Sequence, residues 1–378
     1  MPDARPSPAR SDDDAPRVLM LAGRFSVRGS SAYTLRLAEN LPQAGVQAQL
    51  ICPDARIVER SLCRQLGIQE FPYLQTPLVG RVVLPLLARS LEADPPDLIH
   101  AQSRGAAPQG AWLARRLERP YVLTVHDYMQ PRQTLRVDRA WCRRIIAVSE
   151  SVKSDLLART GLPDPLVTVI HSGVDCDATP DVSGVLPPGR VPVIGTAGPL
   201  EAVKGFPFFL GAAARVLMTG RDVEFVIAGA GPEEENLRRL SRELQIAEHV
   251  TFIPNLSDFA EALVAMDVFC LPSLQQGIGT IMLEAMALAR PVIGTRVGGV
   301  YRVIRDGETG LLVPPSDSVR LAERMIELLD DPARARSIGL AAQQEVRQEF
   351  SVDRMVEKTA ALYREVLAEQ PAMQAATV

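Results

Sequence analysis

Apolar residues fall in short runs separated by stretches with helical spacing of apolar and polar positions. In the first half of the chain the runs occupy residues 17–22, 46–52, 97–101, 121–125, 145–148 and 166–170, with helical patterns at 31–41, 106–118 and 149–160. Such alternation predicts buried parallel strands with helices on both faces. It stops at 172–190, a loop rich in Gly, Pro and Asp that reads as a domain linker. It then restarts, with strands expected at 191–196, 224–228, 250–253, 267–271, 291–295 and 310–313. Helices are expected near 206–218, 232–245, 257–265 and 316–329, the third capped by Ser257 and Asp258. The expected class is α/β, with two Rossmann-like parallel-sheet domains and ligands at the carboxyl ends of the strands. Residues 1–16 read as a disordered tail, 17–180 as the first domain, 190–350 as the second, and 351–378 as a final helix and tail.

Composition narrows this picture. A length of 378 residues suits two domains, and a net charge of -4 gives no electrostatic reason for a nucleic-acid partner. The five cysteines are scattered without metal-like pairing, and read as reduced thiols of a cytoplasmic protein. The first residues do not read as a signal peptide, and no apolar run reaches the ~18 residues that span a bilayer. The stretch 76–91 is apolar with Arg81 and Arg89 set in it. It is expected to pack in the core with the two arginines exposed, because Pro85 interrupts a clean helix. Peripheral contact with the inner face of a membrane is the alternative for this stretch.

The densest chemistry lies at 272–295, PSLQQGIGTIMLEAMALARPVIGT. A buried strand ends in Pro272-Ser273, a loop carries Gly277 and Gly279, and a helix begins at Thr280 with Glu284 about one turn in. A loop emptying into a helix N-terminus favours an anion, usually a phosphate, and glycines let the backbone approach it. A carboxylate at Glu284 suits ribose hydroxyls, so the local chemistry suggests a nucleotide diphosphate. Phe225 to Pro232 looks at first like a dinucleotide loop, but Glu234 stands where the third glycine would fall, which argues against NAD.

Pro272, Ser273, Gly277, Gly279, Leu283, Glu284, Ala285, Met286 and Ala287 stand at the spacing of the donor-site motif of retaining glycosyltransferase family 4, which this stretch resembles. Other matches are Gly29 in the first strand-to-helix loop, Thr124-Val125-His126-Asp127, Gly173-Val174-Asp175, Gly198, Lys204-Gly205 and Val297-Gly298-Gly299. The resemblance implies a GT-B architecture, two such domains facing a cleft, with the final helices 332–350 and 352–368 crossing back to the first domain. It implies a retaining transfer from a nucleotide-diphosphate sugar, UDP or GDP type, to a glycan, lipid-linked or small-molecule acceptor, in polysaccharide or glycoconjugate biosynthesis. It implies no cofactor and no metal.

By the same resemblance His126, Gln276 and Lys204 are the catalytic candidates. Gly29, Gly198, Lys204, Gly277, Gly279, Thr280 and Glu284 would bind the donor, with Asp127 and Tyr128 on the acceptor side. His100 reads as scaffold. Four positions depart from the family pattern: Arg28 replaces a glycine, Pro199 an arginine of the diphosphate clamp, Gln276 the first of two glutamates, and Arg302 a glutamate. They leave a second reading open, a degenerate homologue that binds a nucleotide or a partner enzyme without catalysis.

Overall fold

The computed structural model describes residues 15–25, 29–130, 133–176, 184–254 and 259–369. Arg28, Ser257 and Asp258 lie outside the described residues. The first domain holds strands β1 (Arg17–Leu21), β2 (Gln47–Cys52), β3 (Gln69–Glu70), β4 (Leu98–Ala101), β5 (Tyr121–Val125), β6 (Cys142–Ala147) and β7 (Val167–Val169). They form one sheet in the order 3-2-1-4-5-6-7, and every pairing is parallel. Its helices are α1 (Gly29–Asn40), α2 (Arg60–Gln65), α3 (Gly80–Glu92), α4 (Ala107–Leu117) and α5 (Glu150–Thr160). Every residue of β4 and β5 is buried, as expected of strands covered on both faces.

The second domain repeats the plan with β8 (Val193–Ala197), β9 (Glu224–Ala228), β10 (Val250–Ile253), β11 (Val268–Leu271), β12 (Val292–Thr295) and β13 (Leu311–Val313). The strand order is 10-9-8-11-12-13, again parallel. Around it lie α6 (Phe206–Leu217), α7 (Glu234–Glu243), α8 (Ala260–Ala265), α9 (Thr280–Ala287), α10 (Val300–Val303), α11 (Ser318–Asp330) and α12 (Pro332–Glu349). In each sheet the order reverses between the first and fourth strands, which opens the crevice where doubly wound folds take ligands.

Only the last helix, α13 (Val352–Ala368), packs on the first domain, through Met355, Val356, Ala360, Leu362, Tyr363 and Val366. The preceding α12 stays with the second, where Ala342 and Val346 join the cluster containing α9. Both helices were expected to cross. The apolar faces explain the difference, since each helix buries its stripe against a different core. At the crossing the Val174 amide donates to Phe350 O (2.9 Å) and the Val352 amide to Val174 O (3.1 Å). The two interdomain segments therefore run side by side.

Pro85 does not interrupt α3, which is continuous through it. Pro85 lies on the exposed face, where the carbonyl it strands can reach water. Leu84, Leu87, Ala88 and Leu91 are buried, but the opposite face is apolar as well: Leu78, Val82 and Leu86 are 76%, 65% and 57% exposed. The core-packing expectation thus holds for one face only. All five cysteines are free thiols. Among the described residues, no helix is long and apolar enough to cross a membrane.

Candidate active site

On the second-domain wall, β11 is followed by the buried Ser273, whose carbonyl is pinned by the Thr295 hydroxyl at 2.6 Å. The loop that follows rests on the Gly299 amide, which donates to Gly277 O (2.8 Å) and Gln276 O (3.3 Å). Gly279 then adopts φ +79° and turns the chain into α9, a left-handed conformation that a side chain would strain. The first amides of α9 follow Gly279 directly, so the helix dipole meets whatever anion sits on this loop.

Lys204 ends a short 3-10 turn (Ala202–Lys204) beside this loop. Its ammonium donates to Gln276 Oε1 at 2.7 Å, and the Ser273 hydroxyl reaches the same oxygen at 3.3 Å. Two donors on one atom fix the amide's orientation. Gly198 closes β8 and opens onto space, since a methyl group placed there would meet nothing within 4 Å.

The first-domain wall comes close to this loop. A methyl group on Gly29 would lie 2.7 Å from Thr280 Oγ1, and one on Gly277 3.5 Å from His126 O. The Tyr128 hydroxyl donates to Gln276 O across the cleft at 3.2 Å. His126 follows β5, with Nε2 2.9 Å from Gln102 O and the Tyr33 ring edge-on at 4.9 Å. A carbonyl only accepts, so Nε2 carries the proton and Nδ1 is left as a lone-pair acceptor. Burial pulls the His126 pKa below the ordinary histidine value, against the pull of Gln102 O and Asp127, so the ring is neutral near pH 7. Asp127 is exposed at the rim.

His100 is fully buried between the Tyr363 hydroxyl (2.6 Å) and the Thr124 hydroxyl (2.7 Å), which ties α13 to the centre of the first sheet. Burial, with the His126 charge adding to it, pushes its pKa down to about 3. It is scaffold by geometry.

Two charged residues here escaped the sequence reading. Arg104 follows β4 and donates to Tyr128 O (3.1 Å) and Met129 Sδ (2.8 Å), and burial lowers its pKa. The strand-end rule that singled out His126 would have found it. Arg36, on α1, pairs with Glu284 of α9 at 2.9 Å and with Asp175 of the interdomain segment at 2.9 Å. Burial opposes its charge, but Glu284 and then Asp175 more than offset that and raise the guanidinium's pKa. Nothing local in the sequence marks this pair, whose members are 248 positions apart. Away from the cleft, Asp222, Glu224 and His249 gather at the amino ends of β9 and β10 with metal-like spacing. They do not touch the site.

The sequence-expected positions thus meet in one place: Lys204, Gln276, Gly277, Gly279, Thr280 and Glu284 on one wall, Gly29, His126 and Tyr128 on the other. Gly198 lines the second-domain side. Two facing parallel sheets with such a loop between them are the GT-B architecture of glycosyltransferases.

Comparison with known proteins agrees. The description "Glycosyltransferase Family 4" matches residues 27–178, and "Glycosyl transferases group 1" matches residues 191–331. The phosphatidyl-myo-inositol mannosyltransferase of Mycobacterium leprae (strain TN) is 29% identical over 343 residues, 86% of this chain and 90% of the relative. The alpha-maltose-1-phosphate synthase of Mycolicibacterium smegmatis (strain ATCC 700084 / mc(2)155) is 30% identical over 289 residues, 66% of this chain and 74% of the relative. In fold, the crystal structure of Anabaena Alr3699/HepE in complex with UDP superposes with a TM-score of 0.77 at 21% identity, covering 92% of this chain and 100% of the other. The chain belongs to glycosyltransferase family 4, the group 1 glycosyl transferases, and is an enzyme of the glycosyltransferase class.

Proposed function

We propose that this enzyme transfers a sugar, with retention at the anomeric carbon, from a UDP- or GDP-type donor to a glycan, lipid-linked or small-molecule acceptor, in polysaccharide or glycoconjugate biosynthesis. The observation that carries the reading is the meeting of Lys204, Gln276 and the amino end of α9 with His126 and Gly29 across one cleft. Glu284 would accept the ribose hydroxyls. Lys204 and the amides around Gly279 and Thr280 would take the diphosphate, and fixed donors aimed at developing charge lower the barrier to its departure. The reading therefore assigns no resident cofactor. Gln276 would hydrogen-bond the sugar hydroxyls, and an amide there does not act as a carboxylate nucleophile. Same-face attack, with the departing phosphate oxygen taking the acceptor proton, fits such a site. His126 Nδ1 would accept from a hydroxyl, with Asp127 and Tyr128 lining the acceptor side. UDP in the related crystal structure supports a nucleotide-sugar donor, and the mannosyltransferase and maltose-1-phosphate synthase among the relatives support sugar transfer.

The segment leading into α3 reaches the carboxyl end of the first sheet. Gln75, in the segment before α3, donates to Ala22 O at 3.3 Å at the end of β1. Leu78, Val82 and Leu86 are exposed with Arg81 and Arg89 beside them, and no acidic residue occurs from 76 to 91. In the proposed reading this basic, apolar stripe rests on an anionic bilayer that presents a lipid-linked acceptor.

Calorimetric titration with UDP, GDP and ADP tests the donor reading. One diphosphate is expected to bind, and to bind at least tenfold more weakly in Glu284→Ala and in Lys204→Ala. Failure of all three nucleotides to bind would overturn the reading.

A further inference from the structure

The ribose-facing carboxylate is held by the opposite domain. Arg36 Nη2 lies 2.9 Å from Glu284 Oε1, Nε 2.9 Å from Asp175 Oδ2, and Nη1 3.5 Å from Gly173 O. One guanidinium thus joins α1 of the first domain, α9 of the second and the segment between them. The contact is sheltered, with the Arg36 and Glu284 side chains only 18% and 22% exposed.

A glutamate that grips two neighbouring hydroxyls must present its carboxylate plane at a fixed angle. A glutamate side chain held at fewer points explores more rotamers, and ordering it on binding costs affinity. Here one N–H of the guanidinium takes a Glu284 oxygen while two others are held by Asp175 and Gly173 O, so a rigid planar donor, fixed at three points, sets where that oxygen lies, as a flexible lysine would not. We propose that Arg36 is a positioning residue for the donor nucleotide: it orients Glu284 toward the ribose, and only while the two domains are together. This rests on the assignment of Glu284 to the ribose. Because the orienting group comes from the other domain, nucleotide affinity and cleft closure are linked, and each strengthens the other by the same factor.

The test compares a ribonucleoside diphosphate with its 2′-deoxy counterpart, using UDP or GDP, whichever the wild type binds. Calorimetry is run on wild type, Arg36→Met, Arg36→Lys, Glu284→Ala and the Arg36→Met/Glu284→Ala double variant. Arg36→Met is expected to weaken ribonucleotide binding about tenfold and to narrow the ribo-to-deoxy ratio. Arg36→Lys restores part of the affinity, and the double variant binds no worse than Glu284→Ala. In turnover the loss falls on donor KM more than on kcat. A purely structural role would lower the melting temperature and leave the ribo-to-deoxy ratio intact. If Glu284→Ala narrows that ratio and Arg36→Met leaves it unchanged, or tightens ribonucleotide binding, Arg36 does not position Glu284. If Glu284→Ala itself leaves the ratio unchanged, the ribose assignment fails and the inference with it. Should Arg36→Met not fold, Arg36→Lys and Arg36→Gln carry the same comparison.

Discussion

Replacing Gln276 by glutamate puts a carboxylate where related enzymes carry one, and the structure sets what should follow. The two side chains have the same shape, so the contacts of Oε1 to Lys204 (2.7 Å) and Ser273 (3.3 Å) survive. The Lys204 contact becomes an ion pair. A hydrogen bond between two charged groups is worth about 1 kcal/mol more than one to a neutral amide, net of solvation. The donor-free protein should therefore melt about 2 °C higher. The diphosphate should feel the opposite effect. If the proposed donor placement sets a new negative charge roughly 6 Å from a phosphate, the charge opposes binding by about 3 kcal/mol at an effective dielectric of about 20, before salt and the adjacent ammonium reduce it. If roughly half survives, diphosphate affinity falls about tenfold. Calorimetry of the nucleoside diphosphate against the nucleoside, over a salt series, reads this directly. The nucleoside should be nearly unaffected, and the deficit should shrink as salt rises. Donor preference or rate should also shift across a panel of nucleotide sugars. Unchanged diphosphate affinity, together with unchanged kinetics over that panel, would show that Gln276 faces neither diphosphate nor sugar.

Two further outcomes are expected. His100 has a folded pKa of about 3, against about 6.5 unfolded, so on acidification the unfolded chain takes up the proton first. Its contribution is fully present above the unfolded value and is lost between about pH 6.5 and 3, at about 1.4 kcal/mol per pH unit. His126 and His171, also lowered by burial, act in the same direction. Denaturant titrations of His100→Gln should show an acid-side slope shallower by about that amount from roughly pH 6 to pH 4, and superimposable slopes would refute this account. On α3, Val82→Glu and Leu86→Glu change exposed positions and should leave stability within about 0.5 kcal/mol. Both should abolish flotation with phosphatidylglycerol vesicles, and a wild type that fails to float with them at low salt would dismiss the bilayer as partner of this face.

The inner strands were legible because parallel strands covered on both faces read as nearly continuous apolar runs, as Tyr121–Val125 does. Glu224–Ala228 and the edge strand Val250–Ile253, where Thr251 is exposed, also stand at the expected residues. β3 and α2 escaped because two and six residues, with no buried side chain in either, leave no periodic trace. α3 misled for a different reason. Pro85 costs a helix one hydrogen bond and a ring clash, and an exposed face, where the stranded carbonyl can turn to water, tolerates both better than a buried one. At the site, the loop from Gln276 to Gly279 is local chemistry and shows in the sequence. Arg36 does not show, because its role exists only once α1 and α9 face each other.

That distinction bears on how the cleft works. Among the described residues, two hydrogen-bonding contacts carry one wall to the other at the site, Arg36 to Glu284 and the Tyr128 hydroxyl to Gln276 O, with Gly29 close against Thr280 and Gly277 close against His126 beside them. Polar groups trade such partners for water at small net cost, unlike the apolar packing that holds α13 on the first domain. Contacts of this kind let a cleft open, as one that admits donor and acceptor and releases a nucleotide must do at every turnover. The permanent tie lies elsewhere, at the paired segments around Val174 and Ser351. The fold thus separates a fixed hinge from a labile front. In the front, both hydrogen-bonding contacts involve groups that the donor itself would engage, Glu284 and the loop of Gln276, so occupancy of the donor site acts on bonds that bear on closure.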